Sequence, residues 1–179
     1  MREHMSDGGF KLMRLAMKAV DRIHPHVPQK AASFGIQSGM TVVDYGCGPG
    51  RYTMEFAGLV GEGGRVLAVD LVALALEETK GKALTLGYGN VTTYLAVGYD
   101  SGIPDKTADR VLAIDMFHFV QEPAAFLKEL WRIAKDDGKL ILSGGHQSRA
   151  TIKRNLAKSD LWAIADERRG LIVCRKAVH

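Results

Sequence analysis

Between Val42 and Thr53 the chain reads VVDYGCGPGRYT. A short apolar run ends in Asp44, and Gly46, Gly48 and Gly50 then alternate with other residues before an amphipathic stretch begins. A backbone with glycine at alternate positions turns tightly and approaches a ligand closely, because no Cβ stands in the way. A second apolar run, RVLAVD, ends in Asp70. A carboxylate there, on the strand beside the first, can accept hydrogen bonds from both hydroxyls of a ribose. The two signals together specify a nucleoside more sharply than either alone. The glycine spacing narrows the choice. The dinucleotide fingerprint is G-x-G-x-x-G, and its third glycine would fall at Arg51, whereas here it falls at Gly50. The spacing therefore argues against a nicotinamide-dependent dehydrogenase.

Further ionisable groups follow the fourth and fifth apolar runs. Asp115 ends DRVLAID, His118 stands in DMFHFV, and His146 stands in SGGHQSR. Such positions suit a general base or a substrate contact, since histidine titrates near neutrality. His118, between Phe117 and Phe119, equally suits apolar filler or a helix cap, and Asp115 equally suits a turn or N-cap carboxylate. His146 follows two glycines and has no apolar neighbour in sequence, which favours a site role. Cys47 lies within the glycine turn with no base or metal partner in its sequence context, so it reads as a small packed side chain. His24 and His26 flank Pro25 without a third ligand at a useful spacing, and no metal site is expected.

The elements that must position these groups alternate in period. Met13, Ala16, Met17 and Val20 form a helical stripe, a lead-in helix that should stop near HPHVP. Strands are expected over 40–44, 65–70, 91–97, 109–115 and 139–144. Helices are expected from Tyr52 to Val60, over 71–87, from Pro123 to a stop at Gly138, and, weakly, from Thr151 to Lys158. LWAIAD and GLIVCRK then read as two strands of a hairpin joined through ERRG. The sum is an α/β fold: a doubly wound, Rossmann-like, mostly parallel seven-stranded sheet with a C-terminal antiparallel hairpin and helices on both faces.

At 179 residues, 46% of them hydrophobic, the chain is expected to form one domain over 1–179, with a lead-in over 1–30 and a core over 31–179. Two cysteines fit a reducing cytoplasm, and neither an apolar run of about 18 residues nor a signal-like leader is seen, so no membrane association is expected. From Gly144 to His179 there are eight lysines and arginines against three acids. Without interleaved aromatics this basic end reads as a solvated face rather than a nucleic-acid surface. Monomer and homodimer both remain open.

The phrase VVDYGCGPGRYT closely resembles motif I of the class I S-adenosylmethionine-dependent methyltransferases. The resemblance extends over roughly residues 30 to 145, including DRVLAIDMFHFVQEPAAFLKELWRIAKDDGKLILS, which is similar to a passage of the branch that modifies small molecules. It implies S-adenosyl-L-methionine as cofactor, bound by Tyr45, Gly46, Cys47, Gly48, Gly50 and Tyr52 of the motif, with Asp44 holding its amino acid end, Asp70 its ribose and Leu71 lying by the adenine. The family's acid after the third strand is replaced by GYDSGIP, so either Asp100 meets the adenine amino group or Tyr99 covers the ring. Asp115 would stand near both cofactor and acceptor. The resemblance further implies a lid over the cofactor formed by Phe10, Met13, Met17 and Tyr99. The activity implied is methyl transfer to a small-molecule acceptor, with His146, Asp115 and His118 as candidates for contact or base. The alternatives are a protein or RNA methyltransferase that uses the basic end, and a non-catalytic cofactor-binding module. The NPPY-type tetrapeptide of amino-group methylation is replaced by DMFH.

Overall fold

In β1 (Thr41–Tyr45) and β2 (Arg65–Asp70) nearly every side chain is buried, the pattern of strands covered on both faces. The computed structural model describes residues 8–9, 27–168 and 170–178. Within them the remaining strands are β3 (Val91–Leu95), β4 (Ala108–Ala113), β5 (Ala134–Ser143), β6 (Trp162–Arg168) and β7 (Leu171–Lys176). Helices α1 (Val27–Ala32), α2 (Arg51–Val60), α3 (Ala73–Thr85), α4 (Pro123–Ile133) and α5 (Arg149–Ser159) connect or precede them, and one turn of 3₁₀ helix covers Phe117–Phe119.

The seven strands lie in the order β3-β2-β1-β4-β5-β7-β6. Pairing is parallel from β3 through β5, and β7 runs antiparallel to both β5 and β6. This is the expected doubly wound sheet with its C-terminal hairpin. The chain leaves β1 toward β2 on one side and returns to β4 on the other, so the crevice of a doubly wound sheet opens at the carboxyl ends of β1 and β4.

Strand alternation sends successive residues to opposite faces. Val43 and Tyr45 join the larger core with Phe117, Phe126, Leu127, Leu130 and Trp162, beneath α4 and α5. Val42 joins Ala31, Phe34, Phe56 and Val60 beneath α1 and α2, and Cys47 packs with Ala68 and Leu76 of α3.

Several boundaries differ from expectation. A proline-bearing helix, α1, stands where a stop was expected, because Pro28 falls in its first turn, where no amide donor is needed. It also spans the boundary expected between residues 30 and 31. The lead-in stripe, including Phe10, Met13 and Met17, lies outside the described residues, as do His24 and His26. Helix α4 ends at Ile133, not Gly138: Ala134 is extended and pairs with Ala108, and a Cβ on Gly138 would stand 2.8 Å from the Ala108 carbonyl oxygen. Gly138 thus serves close packing within β5. Strand β3 stops at Leu95, after which Val97 and Asp100 close a turn by two mutual backbone hydrogen bonds. Strand β4 stops at Ala113, because Asp115 adopts a left-handed φ of 58°.

Phe126 is fully buried, with its ring 5.1 Å from Tyr45, 5.7 Å from Tyr99 and 5.9 Å from Phe117. Phe126→Ala should therefore lower the unfolding free energy by about 3–5 kcal/mol in urea titrations; a loss below about 1 kcal/mol would show that this aromatic cluster does not hold the α4 face.

Candidate functional site

The glycine turn folds over the end of β2. The amides of Gly46 and Cys47 both donate to the Val69 carbonyl, at 2.8 and 3.0 Å. The three glycines then do different work. A Cβ on Gly46 would stand 2.8 Å from Cγ of Met116, and one on Gly50 would stand 2.7 Å from Oγ1 of Thr79. These two make room for protein. Gly48, at a left-handed φ of 53°, faces open space within 4 Å of its Cβ direction, so this glycine leaves room for a ligand. Thr79 donates to the Gly48 carbonyl at 3.0 Å and Lys82 to that of Pro49, which ties the turn to α3. The Cys47 thiol is buried and pushed well above its usual range by burial, as befits a packed side chain.

Asp70 lies beside this opening. One carboxylate oxygen accepts the Gly48 amide at 2.8 Å and the other accepts the Val72 amide at 2.9 Å. Burial raises its pKa, and the backbone donors offset part of that rise. The Leu71 amide also acts on this carboxylate, so backbone donors meet three of its roughly four lone-pair positions. Asp44 lies deeper, 2% exposed, and accepts the Thr53 hydroxyl at 2.6 Å. Burial pushes its carboxyl up to about 7, with the Thr53 hydrogen bond lowering it and nearby Asp70 raising it.

The other expected cofactor contacts are distributed unevenly. The Tyr45 side chain points into the core, and its hydroxyl donates to the Tyr99 carbonyl at 2.8 Å. The Tyr99 hydroxyl accepts the amides of Gln121 and Glu122, at 3.2 and 3.0 Å, which pins the turn after β3 to the start of α4. Asp100 caps that turn by accepting the Gly102 amide at 2.9 Å; its side chain is 76% exposed, 3.9 Å from the Arg132 guanidinium. Leu71 is half-buried against the larger core. Tyr52 is half-buried with its ring against Phe34 and Phe56, and Lys30 lies 5.5 Å over it.

At the ends of β4 and β5 the structure gathers Asp115, His118 and His146. The Ser143 hydroxyl accepts the Asp115 amide at 2.8 Å and donates to its carboxylate at 2.6 Å, and the Lys30 ammonium lies 3.0 Å from the same carboxylate. Burial acts to raise the Asp115 pKa, yet Ser143 and Lys30 outweigh it and the net direction is down. The His118 and His146 rings meet edge to face at 5.1 Å, and burial together with His146 lowers the His118 pKa. Nδ1 of His118 would lie 2.7 Å from a Cβ on Gly145, so this ring packs against the turn that carries His146. A cavity of about 340 Å³ adjoins, lined by Lys30, Asp115, Ser143, Gln147, Arg149 and Ile152 among others; both imidazoles stand outside its lining.

Thr53, Thr79, Lys30, Met116 and Ser143 were not singled out from the sequence. Thr53 closes the quoted motif and Ser143 ends the fifth apolar run, so their places were visible though their partners were not. Lys30 carried no signal, because α1 was not expected. Among the described residues, no group of three or more His, Cys, Asp or Glu could hold a metal, and no helix is long and apolar enough to cross a membrane.

A family model described as a methyltransferase domain matches residues 43–142, more than half of the chain. This chain belongs to the class I S-adenosylmethionine-dependent methyltransferases. It is 26% identical to an S-adenosylmethionine-dependent methyltransferase of known structure from Aquifex aeolicus, with a TM-score of 0.78 over 89% of this chain and 96% of the other. A putative methyltransferase from Methanococcus maripaludis, 20% identical, shares the fold with a TM-score of 0.81 over 100% of this chain and 98% of that one. The ubiquinone/menaquinone biosynthesis C-methyltransferase UbiE of Citrobacter koseri is 31% identical over 109 residues, 60% of this chain and 43% of that protein, so the match spans less than half of that relative's length. S-adenosyl-L-methionine is the cofactor. The residues fit it: the open face of Gly48 adjoins the Asp70 carboxylate, an arrangement suited to a ribose edge against bare backbone.

The buried Asp44 makes stability depend on pH. Its folded pKa of about 7 exceeds the unfolded value of 3.8, so between these values the unfolded chain binds fewer protons and stability falls as pH rises. The contribution is complete below about pH 4 and lost above about pH 7, on the order of 4 kcal/mol in all. Urea unfolding from pH 4 to 8 should show Asp44→Asn gaining on the native protein through this window and levelling above it; parallel curves would contradict the assignment.

Proposed function

We propose that the chain is an enzyme that transfers a methyl group from S-adenosylmethionine to a small-molecule acceptor held beside Asp115. The observation that carries this reading is the adjacency of two openings along one sheet edge, the bare Gly48 face next to Asp70 and the cavity lined by Asp115 and Ser143. When bound, S-adenosylmethionine supplies an electrophilic methyl group on a sulfonium, so the protein must align a nucleophile, exclude water and take up a proton where the nucleophile carries one.

Asp70 accepts the ribose hydroxyls. Asp44, buried beneath the turn, contributes negative charge toward the amino acid end when ionised. Tyr45, Gly46, Cys47 and Gly50 shape the turn, while Gly48 admits the ligand. The adenine lies against Leu71 and the turn of Val97 to Asp100. There Asp100 and the Tyr99 hydroxyl already have partners within the protein, and the apolar Val97, 80% exposed, offers a face for the ring. Tyr52, with Lys30 above it, borders the acceptor side.

Asp115, held ionised by Ser143 and Lys30, orients the acceptor rather than deprotonating it. Where the acceptor carries a proton, the histidine pair, which adjoins the cavity outside its lining, takes it through an intervening water. His118 is neutral at physiological pH because burial and its neighbour depress its pKa, and His146, exposed at its edge, is open to solvent. A small acceptor is favoured over nucleic acid because three of the eight basic residues of the C-terminal end already have acidic neighbours: Lys153 pairs with Glu167 at 2.7 Å, Arg168 with Asp166, and Lys176 lies 3.7 Å from Asp136. The named activity of the UbiE relative, in quinone biosynthesis, also supports a small acceptor.

Turnover of methyl-labelled S-adenosylmethionine with a pool of small molecules tests this reading. His146→Ala and His118→Ala should each cost about 10²–10⁴-fold in kcat, with non-additive effects and little change in S-adenosylhomocysteine affinity. Asp70→Ala should instead weaken S-adenosylhomocysteine by about 10–100-fold, from the loss of charge-assisted hydrogen bonds. Full turnover in the double histidine variant across the pH range would leave proximity without a protein base as the better account.

A further inference from the structure

The cavity beside Asp115 has a charge pattern that selects among acceptors. Lys30 and Asp115, both in its lining, neutralise each other across 3.0 Å. Arg149, also in the lining, lies 3.8 Å from Glu167, whose other oxygen accepts Lys153 at 2.7 Å. Glu167 is therefore matched by Lys153, and among the described lining residues the surplus charge is the positive charge of Arg149. Ile152 and Ile172 give the space an apolar wall. At about 30 Å³ for each water-sized group, the cavity of about 340 Å³ holds roughly ten non-hydrogen atoms.

We propose that this cavity recognises a small organic anion with an apolar body, whose carboxylate pairs with Arg149. Arg149 suits this task because its planar guanidinium binds a carboxylate through two parallel hydrogen bonds. Glu167 already faces Arg149 but is shared with Lys153, so an anion in the cavity completes the pairing and a cationic acceptor is repelled. The inference rests on the methyltransferase reading, since it places the acceptor beside the cofactor crevice.

The test uses the full chain saturated with S-adenosylhomocysteine, titrated in a calorimeter with the three hydroxybenzoate isomers, the matching hydroxybenzyl alcohols and benzoate. At least one isomer should bind about tenfold or more tightly than its alcohol, and benzoate should bind comparably to that isomer. Arg149→Gln should erase the preference for the carboxylate, while Arg149→Lys retains part of it, which separates loss of charge from loss of fold. No isomer binding better than its alcohol, or a preference that survives in Arg149→Gln, would overturn the proposal. Failure of S-adenosylhomocysteine itself to bind would instead overturn the methyltransferase reading, so the two failures are distinguishable.

Discussion

The hydrogen bond from the Gly48 amide to the Asp70 carboxylate, 2.8 Å long, is the constraint on which the rest of the site depends. It fastens the turn after β1 to the end of β2, and a bond of this kind, neutral donor to charged acceptor, contributes about 1.5–3 kcal/mol. With Gly48 held there in a left-handed conformation, Gly46 lies under Met116 and Gly50 under Thr79, so the turn is clamped from the β4 side and from α3 at once. The open face of Gly48 follows from those two clamps. A preorganised backbone of this kind leaves little ordering to be done when the ligand arrives.

A second clamp sets the ends of β4 and β5. Asp115 holds a left-handed φ of 58°, a conformation that costs a residue with a Cβ about 1 kcal/mol or more and persists only where its surroundings enforce it. The Ser143 hydroxyl does so, by accepting the Asp115 amide and donating to its carboxylate, which locks the end of β4 to the end of β5. Lys30 from α1 completes the arrangement. Met116, the next residue, reaches back to Gly46, so the glycine turn and the cavity beside Asp115 are joined through two consecutive residues.

Much of this was legible in the sequence because it depends on local pattern. The alternation of apolar runs with helical stripes predicts the sheet and its hairpin, and the glycine spacing with Asp70 predicts a nucleoside rather than a dinucleotide. Boundaries failed where tertiary contact overrides the local signal. Gly138 looks like a helix stop, yet it is required where β5 crosses the Ala108 carbonyl. The hydroxyls of Tyr45 and Tyr99 also take partners inside the protein, which no local pattern announces, because only the fold reveals which face of a strand or turn is buried. The partners of Asp44 and Asp115, namely Thr53, Ser143 and Lys30, are distant in sequence from one another, and no spacing rule links them.

The central claim is that the turn and Asp70 form a site for S-adenosylmethionine and not for a dinucleotide. Calorimetric titration of the native protein with S-adenosylhomocysteine and, separately, with NAD tests it most directly. The account predicts saturable binding of S-adenosylhomocysteine and no heat of binding from NAD over the same concentrations. Binding of NAD in that range, or the absence of S-adenosylhomocysteine binding, would contradict it.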